Sequence, residues 1–184
     1  MKPGFLSPKA RAKLARVKLL IFDVDGILTN GRVFNTGPGG WSRVYHVKDG
    51  FGMRMIMKAG IHVAVISAGS SPEVLERMKF IGVPHVHMGS EDKVGAFEEV
   101  LRKTGCRAEE ACFVADELFD IPVLNRVGFK ATVPDAPPEV LKMVDYVTKT
   151  LGGDGAAREV IDLLRKVRKI PGPHEKVPNP FGFR

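Results

Sequence analysis

The architecture of this 184-residue chain can be worked out from Val17-Lys18-Leu19-Leu20-Ile21-Phe22-Asp23-Val24-Asp25-Gly26. Residues 17–22 are apolar apart from Lys18, which predicts a strand that is buried on both faces, as strands of parallel sheets are. The strand ends in a turn that carries two carboxylates, Asp23 and Asp25. Because aspartate is common in ordinary turns, this pair alone is as typical of a loop as of an active site.

Similar apolar runs alternate with helical segments along the rest of the chain. Further strands are predicted over residues 61–66, 83–88, 111–115, 129–133 and 146–148. Helices are predicted over residues 51–59, from Pro72 to near Gly82, from a cap at Ser90 to Thr104, up to about Val127, after Pro137 and over residues 156–169. Strands that alternate with helices imply right-handed crossovers and a mostly parallel sheet. The predicted fold class is therefore α/β, a three-layer sandwich around a Rossmann-like sheet.

One domain is expected, because the chain is close to the usual size of a single domain. It spans residues 17–169, between a basic N-terminal extension (residues 1–16) and an extended, proline-rich basic tail (residues 170–184). After the first strand, a β-hairpin with a loose tip is predicted where Val33-Phe34 and Val44-Tyr45-His46-Val47 flank Gly37-Pro38-Gly39-Gly40. This flap, about residues 31–48, is too small for a cap domain, and its aromatic side chains are more typical of a subunit interface than of a ligand site.

The net charge of +7 comes from the two ends of the chain. Residues 1–20 and 165–184 each contain six lysines or arginines, whereas residues 21–164 contain more acidic than basic side chains. Proteins that bind nucleic acid concentrate their cations on a surface of the folded domain, so no nucleic-acid partner is expected. The cysteines, Cys106 and Cys112, are too few for a disulfide framework. Since no apolar run approaches the roughly 18 residues of a membrane span, a cytoplasmic protein without a membrane partner is expected.

Polar side chains are expected to gather where the strands of this sheet end, since ligands of open parallel sheets bind there. The residues that follow the predicted strands are Asp23, Asp25, Ser67, Asp116, Glu117 and Asp120. Carboxylates crowded at one edge repel one another without a cation, and oxygen ligands suit Mg²⁺ together with a substrate phosphate. Lys93 in the first turn of a helix opposes the helix dipole, so it needs an anionic partner, either a carboxylate or a bound phosphate.

These residues resemble the motifs of the haloacid dehalogenase superfamily. Its first motif corresponds to Phe22-Asp23-Val24-Asp25-Gly26-Ile27-Leu28-Thr29, and the other three fall on Ser67, on Lys93 and on residues 114–120. Within the superfamily the chain is most similar to the phosphatases of 3-deoxy-D-manno-octulosonate 8-phosphate, through residues 28–31, 47–52, 144–148 and 152–160. Members of that family have a β-hairpin flap and no cap, and they form homotetramers in which neighbouring subunits help to close each site.

The resemblance implies phosphoryl transfer in two steps. Asp23 would attack phosphorus to form an aspartyl-phosphate, and Asp25 would protonate the leaving oxygen and later deprotonate the attacking water. Mg²⁺ would be held by Asp23, the backbone carbonyl of Asp25 and Asp116. Ser67 and Lys93 would hold the phosphoryl oxygens. Glu117 and Asp120 would orient the water ligands of the metal.

The implied substrate is a small acidic sugar phosphate, most directly 3-deoxy-D-manno-octulosonate 8-phosphate, in lipopolysaccharide biosynthesis. The positions implied to contact it are Asp25, His46, Val47, Lys48, Asp49, Gly50, Arg54, Arg77 and Lys93. Arg54 and Arg77 are also typical of a solvated helix face.

Three segments depart from the family pattern. Ser67-Ala68-Gly69 stands in place of Thr-Gly-Arg, Ala115-Asp116-Glu117 in place of Gly-Asp-Asp, and Gly152-Gly153-Asp154-Gly155 in place of Gly-Gly-Arg-Gly. The first and third departures remove cations that would face an acidic sugar, so a phosphatase for another acidic sugar phosphate, such as a nonulosonate 9-phosphate, stays open. A non-catalytic tetramerisation domain, like that of sialic-acid cytidylyltransferases, is a second alternative. A phosphomutase is a third, although such enzymes generally need a larger cap.

Overall fold

The protein's structure, a computed structural model, describes residues 2–37, 40–90 and 92–172. Its strands, numbered along the chain, are β1 Leu19–Phe22, β2 Phe34–Asn35, β3 Trp41–Ser42, β4 His62–Ile66, β5 His85–His87, β6 Ala111–Val114, β7 Phe129–Thr132 and β8 Tyr146–Val147. Six of them form one parallel sheet in the order β5-β4-β1-β6-β7-β8, and β2 and β3 pair as a separate antiparallel hairpin. All four residues of β1 are fully buried at the centre of the sheet, as the apolar run predicts.

Helices flank this sheet. They are α1 Pro8–Leu14, α2 Val47–Lys58, α3 Pro72–Ile81, α4 Lys93–Thr104, α5 Ile121–Leu124, α6 Pro138–Met143 and α7 Ala156–Val167. The α2 helix packs against α7, and α4 packs against α5. The predicted α/β class, with a parallel sheet between helices and no cap domain in the described residues, is confirmed. Among the helices of the described ranges, none has the length and apolar character needed to cross a membrane.

The α2 helix begins at Val47, whereas the sequence predicts a helix only from residue 51. Its first turns contain Gly50 and Gly52, and glycine lowers helix propensity by about 1 kcal/mol relative to alanine. Both glycines are buried, and a Cβ at Gly52 would lie 2.8 Å from Cδ of Arg158 in α7. A Cβ at Gly50 would lie 3.1 Å from Nη2 of Arg77 in α3. Gly50 therefore allows α2 to approach α3 closely and Gly52 allows it to approach α7, and this gain from packing is invisible in helix propensity.

The flap hairpin is shorter than predicted, because its second strand is Trp41–Ser42 rather than residues 44–47. Its turn closes early: the backbone N–H of Thr36 donates to Gly40 O at 2.7 Å, and the Thr36 hydroxyl donates to the same oxygen at 2.8 Å. These bonds leave two residues on each side for pairing. The predicted loose tip, residues 38–39, lies outside the described residues.

The predicted N-terminal extension, residues 1–16, contains the α1 helix. Ala10 and Leu14 are buried in the main core, and Lys13 Nζ lies 2.6 Å from Oδ1 of Asp145 beside β8. Part of the basic N-terminal segment therefore packs on the domain. The predicted tail, residues 170–184, lies outside the described residues beyond Gly172.

Two helix boundaries also differ from the prediction. Asp92, not Ser90, caps α4, since its side chain accepts from the Val94 N–H at 3.0 Å. The helix expected up to Val127 is instead a 3₁₀ turn, Leu118–Asp120, followed by α5. Pro122 explains the break, because proline fits the first turn of a helix and disrupts a helix interior.

Candidate active site

The carboxyl ends of β1, β4 and β6 lie in register, and this alignment builds the site. Phe22, the last residue of β1, is paired with Val65 of β4 and Val114 of β6. The Asp23 N–H extends the ladder by donating to Val114 O at 3.0 Å. Side chains that follow the three strands therefore meet at one edge of the sheet.

Lys93 reaches this edge from the first residue of α4. Its Nζ lies 2.9 Å from Oδ1 of Asp23 and 2.6 Å from Oδ1 of Asp120, and the lysine side chain is fully buried. The anionic partner that Lys93 needs at the positive end of a helix dipole is thus a pair of carboxylates. Burial lowers the pKa of Lys93, but the two carboxylates outweigh burial and the net shift is upward. Lys93 therefore stays charged.

Asp23, Asp116 and Asp120 form a group of carboxylates whose oxygens lie within 4.8 Å of one another. Burial, together with the neighbouring Asp23 and Asp120, raises the pKa of Asp116 to about 8. Burial likewise raises the pKa of Asp23 to about 7, against the opposing effect of Lys93. The pKa of Asp120 also moves upward, chiefly through burial. One ammonium does not balance three carboxylates, so the group favours a further cation.

The same group fits a divalent metal ion. Asp116 Oδ1 is buried and has no hydrogen-bond partner in the described residues. A hard cation such as Mg²⁺ prefers carboxylate oxygens, and it would give this atom a partner. Asp120 lies close enough to Asp23 and Asp116 to share a metal ion with them. The resemblance implies only that it orients the water ligands of the metal. Glu117 lies next to it, with its backbone N–H donating to Asp120 Oδ2 at 3.1 Å.

Two glycines let the loops of the site interlock. Gly26 has a φ of +88°, and a Cβ there would lie 2.0 Å from Oδ2 of Asp116. A Cβ at Gly152 would lie 1.7 Å from the backbone oxygen of Gly26. The turn after β1 is therefore held between Asp116 and the loop that precedes α7.

An open cleft lies above the strand ends. Its lining includes five of the predicted site residues, Asp23, Asp25, Ser67, Asp116 and Glu117. Ser67 is almost completely buried, and its Oγ accepts from the Gly69 N–H at 3.2 Å, which orients the hydroxyl oxygen. Asp25 is more exposed than Asp23, with 37% of its side chain accessible. Buried and accessible carboxylates thus stand side by side at the bottom and rim of one cleft.

The residues of α2 and α3 that are predicted to contact the sugar do not line this cleft. Four of them line a separate small cavity together with Tyr45, and these are His46, Asp49, Gly50 and Arg77. Val47 and Lys48 are exposed at the start of α2. Arg54 donates to the backbone oxygens of Phe80 and Ile81 at the end of α3, the latter at 3.1 Å.

Asp49 caps α7, because its Oδ1 accepts from the Arg158 N–H at 2.8 Å. The described residues that line the strand-end cleft include neither Asp49 nor the other residues predicted to contact the sugar from α2 and α3. Their role as substrate contacts therefore stays a prediction, one that requires a neighbouring subunit.

Arg43, just after β3, is a site residue that the sequence does not predict. Its Nε lies 2.6 Å from Oδ1 of Asp25 and its Nη2 lies 2.9 Å from Oδ2. Its Nη1 contacts Oε1 of Glu73 at 3.0 Å, so the guanidinium joins the flap to α3 as well. The one available signal is an arginine among the apolar residues of the predicted flap, and local periodicity does not reveal its partners.

The parallel sheet and the strand-end carboxylates define a hydrolase of the haloacid dehalogenase superfamily, and comparisons with known proteins agree. A 3-deoxy-D-manno-octulosonate 8-phosphate phosphatase of Salmonella typhimurium is 37% identical over 161 residues, which are 88% of this chain and 86% of that protein. The chain belongs to the 3-deoxy-D-manno-octulosonate 8-phosphate phosphatase family. No protein-family model matches it.

Solved structures give the same result. The phosphatase of that name from Yersinia pestis superposes with a TM-score of 0.85 at 33% identity, covering 88% of each chain. The Moraxella catarrhalis phosphatase, solved in complex with magnesium ion, phosphate ion and a KDO molecule, superposes with a TM-score of 0.84 at 32% identity, covering 88% of this chain and 92% of that one.

Proposed function

We propose that this protein is a Mg²⁺-dependent phosphatase that hydrolyses 3-deoxy-D-manno-octulosonate 8-phosphate to the free sugar acid and inorganic phosphate. The observation that carries the proposal is the buried Lys93, shared by Asp23 and Asp120 beside the unpartnered oxygen of Asp116. The names of the relatives support the substrate, and the magnesium ion in the Moraxella catarrhalis structure supports the metal.

Asp23 is the proposed nucleophile. Lys93 holds its Oδ1, so we assign the attack on phosphorus to Oδ2. A bond forms between this oxygen and phosphorus as the bond from phosphorus to the sugar oxygen breaks, which leaves an aspartyl-phosphate. Asp25 donates a proton to the departing sugar oxygen, then takes one from the water that cleaves the aspartyl-phosphate. The exposure of Asp25 at the rim of the cleft suits a group that must meet both sugar and water.

The other residues of the site bind and orient the phosphoryl group. Ser67 and Lys93 are assigned to its oxygens, where a donor and a fixed positive charge stabilise the transferring group. Asp23, Asp116 and the backbone carbonyl of Asp25 are assigned to the metal, and the position of Asp120 adds its carboxylate to that set, with Glu117 beside it. Bound Mg²⁺ would neutralise charge between the nucleophile and the phosphate dianion.

A homotetramer in the cytoplasm, acting in lipopolysaccharide biosynthesis, completes the proposal. Large apolar side chains of the flap are exposed in the single chain, and those with about half or more of their surface accessible are Val33, Phe34, Trp41, Val44 and Val47. Exposed apolar clusters of this kind mark interfaces. A neighbouring subunit packed there is also what the predicted contacts from α2 and α3 require. The domain assignment, with residues 17–169 as the phosphatase unit, remains part of the same proposal.

The test is phosphate release from a panel of sugar-acid and neutral sugar phosphates, with Mg²⁺ and with a chelator, beside Asp23→Asn. We expect metal-dependent release that is fastest with 3-deoxy-D-manno-octulosonate 8-phosphate and absent in the variant. Preference for a nonulosonate 9-phosphate would replace the substrate and keep the chemistry. Folded protein that releases no phosphate from any compound would support the alternative of a non-catalytic assembly domain.

A further inference from the structure

Arg43 makes three side-chain hydrogen bonds from the flap, and the mechanism above leaves it without a role. Its side chain is only 8% exposed although it belongs to a surface hairpin. All three of its nitrogens are engaged, two by the Asp25 carboxylate in a bidentate pair and one by Glu73. Bidentate pairs of arginine and carboxylate fix orientation as well as distance. Asp25 is therefore held from above by the flap.

The guanidinium also fills a space that Gly69 leaves open. A Cβ at position 69 would lie 3.4 Å from Nη2 of Arg43 and 3.6 Å from Oδ2 of Asp25. A side chain at position 69 would therefore point toward the Asp25–Arg43 pair. Gly69 is the position at which this chain departs from the family by lacking an arginine. Arg43 thus occupies, from the flap, the region that an arginine at position 69 would reach from the end of β4.

We propose that Arg43 is the positioning residue for Asp25 and supplies from the flap the guanidinium that position 69 lacks. This inference rests on the proposed function, since it concerns the proton transfer assigned to Asp25. Arg43 donates to both carboxylate oxygens and so fixes the plane of the Asp25 carboxylate, and the second lone pair of Oδ2 carries the proton that is transferred to the leaving oxygen of the substrate. Glu73 of α3 holds the guanidinium in place, so the position of Arg43 does not depend on the substrate.

A positioning role for Asp25 predicts a dependence on the leaving group. A sugar alkoxide leaves poorly and needs a proton in the transition state, whereas p-nitrophenolate leaves without one. Single-turnover rates with enzyme in excess report the transfer to Asp23 alone. We expect Arg43→Ala to lower this rate about 100-fold with 3-deoxy-D-manno-octulosonate 8-phosphate, the scale of general acid catalysis, and less than about threefold with p-nitrophenyl phosphate.

Relocating the guanidinium provides the rescue experiment. The backbone of Gly69 is not in the left-handed conformation, and a Cβ there would make ordinary van der Waals contacts. An arginine therefore fits at position 69 once the Arg43 side chain is removed. Arg43→Ala/Gly69→Arg should recover at least about 10-fold of the lost rate. Gly69→Arg alone should be slower than the natural protein, because two guanidiniums then compete for one carboxylate. Arg32→Ala is the matched control, since Arg32 is an exposed flap arginine with no ion pair in the described residues.

The outcomes separate this inference from the proposed function. Equal losses with both substrates, or a double variant no faster than Arg43→Ala, would overturn the inference while an active natural protein upholds the phosphatase. If the natural protein hydrolyses neither compound, the proposed function fails and the inference fails with it. A loss confined to the sugar phosphate, together with rescue by the double variant, supports the role of Arg43.

Discussion

The Lys93 ammonium lies 2.6 Å from Oδ1 of Asp120, and neither side chain has any exposed surface. Asp23 shares the same ammonium at 2.9 Å with 4% of its side chain exposed. Buried charges are costly unless they are paired, so removing the lysine should leave two carboxylates without compensation. This arrangement makes Lys93 a structural residue of the site before any substrate binds.

We expect Lys93→Met to lower the free energy of unfolding by about 3–5 kcal/mol at pH 8, the usual cost of breaking a buried ion pair. Denaturant unfolding in the presence of a chelator would measure it. Lys103→Met is the control on the same helix, because its pair with Glu99 is largely exposed and should cost less than about 0.5 kcal/mol. Equal losses for the two variants would contradict this view of Lys93.

Replacement of Gly26 should disrupt the metal group. Gly26→Ala places a methyl group against the Asp116 carboxylate and adds the strain of a positive φ, roughly 1 kcal/mol. Gly60→Ala carries the same strain at φ +83° but meets nothing within 4 Å. Both variants should lose similar stability from the backbone, whereas only Gly26→Ala should lose Mg²⁺ affinity and activity, by about 10-fold or more. Titration of activity with Mg²⁺ separates them, and a similar metal requirement in both would count against the contact with Asp116.

Metal-free protein should become less stable as the pH rises. The pKa of Asp116 is raised to about 8 and that of Asp23 to about 7, above unfolded values near 4. The folded state therefore binds more protons, and stability present below about pH 4 is lost as the pH rises through about 8. Thermal unfolding with a chelator from pH 5 to pH 9 tests the sign.

Mg²⁺ should reverse this trend. A metal ion competes with protons for the same carboxylates, so the increase in Tm on adding Mg²⁺ should grow between pH 6 and pH 9. Asp116→Asn should abolish most of that increase. A Tm increase that is independent of pH would show that binding does not displace protons.

Asp49 is predicted to contact the substrate, and in the structure it caps α7, so its replacement should affect stability. Loss of a helix cap costs about 1 kcal/mol, so Asp49→Ala should lower Tm through the loss of its bond to the Arg158 N–H. Asp162→Ala is the control on α7, since it removes partly exposed pairs with Arg158 and Arg165 and should cost under about 0.5 kcal/mol. An unchanged Tm with a raised KM for Asp49→Ala would favour the substrate role.

Local patterns predicted much of the fold. The order of strands and helices from β4 to α7 follows the alternation of apolar runs and helical segments, and Gly82 ends α3 in the left-handed conformation that glycine favours. Patterns were least informative where tertiary packing outweighs propensity. Gly50 and Gly52 at the start of α2 are poor helix formers, and their benefit comes from contacts with α3 and α7, which lie far along the chain.

The sequence by itself determined which chemical groups stand at the strand ends. Parallel strands bring the residues that follow them to a common edge, so Asp23, Ser67 and Asp116 could be placed together from spacing alone. Only the tertiary structure decided which charges pair there. Lys93 meets Asp23 and Asp120, and Arg43 meets Asp25, through contacts between residues far apart in the chain. Such pairings depend on how the flap and α4 fold over the sheet edge, and neither composition nor periodicity encodes that geometry.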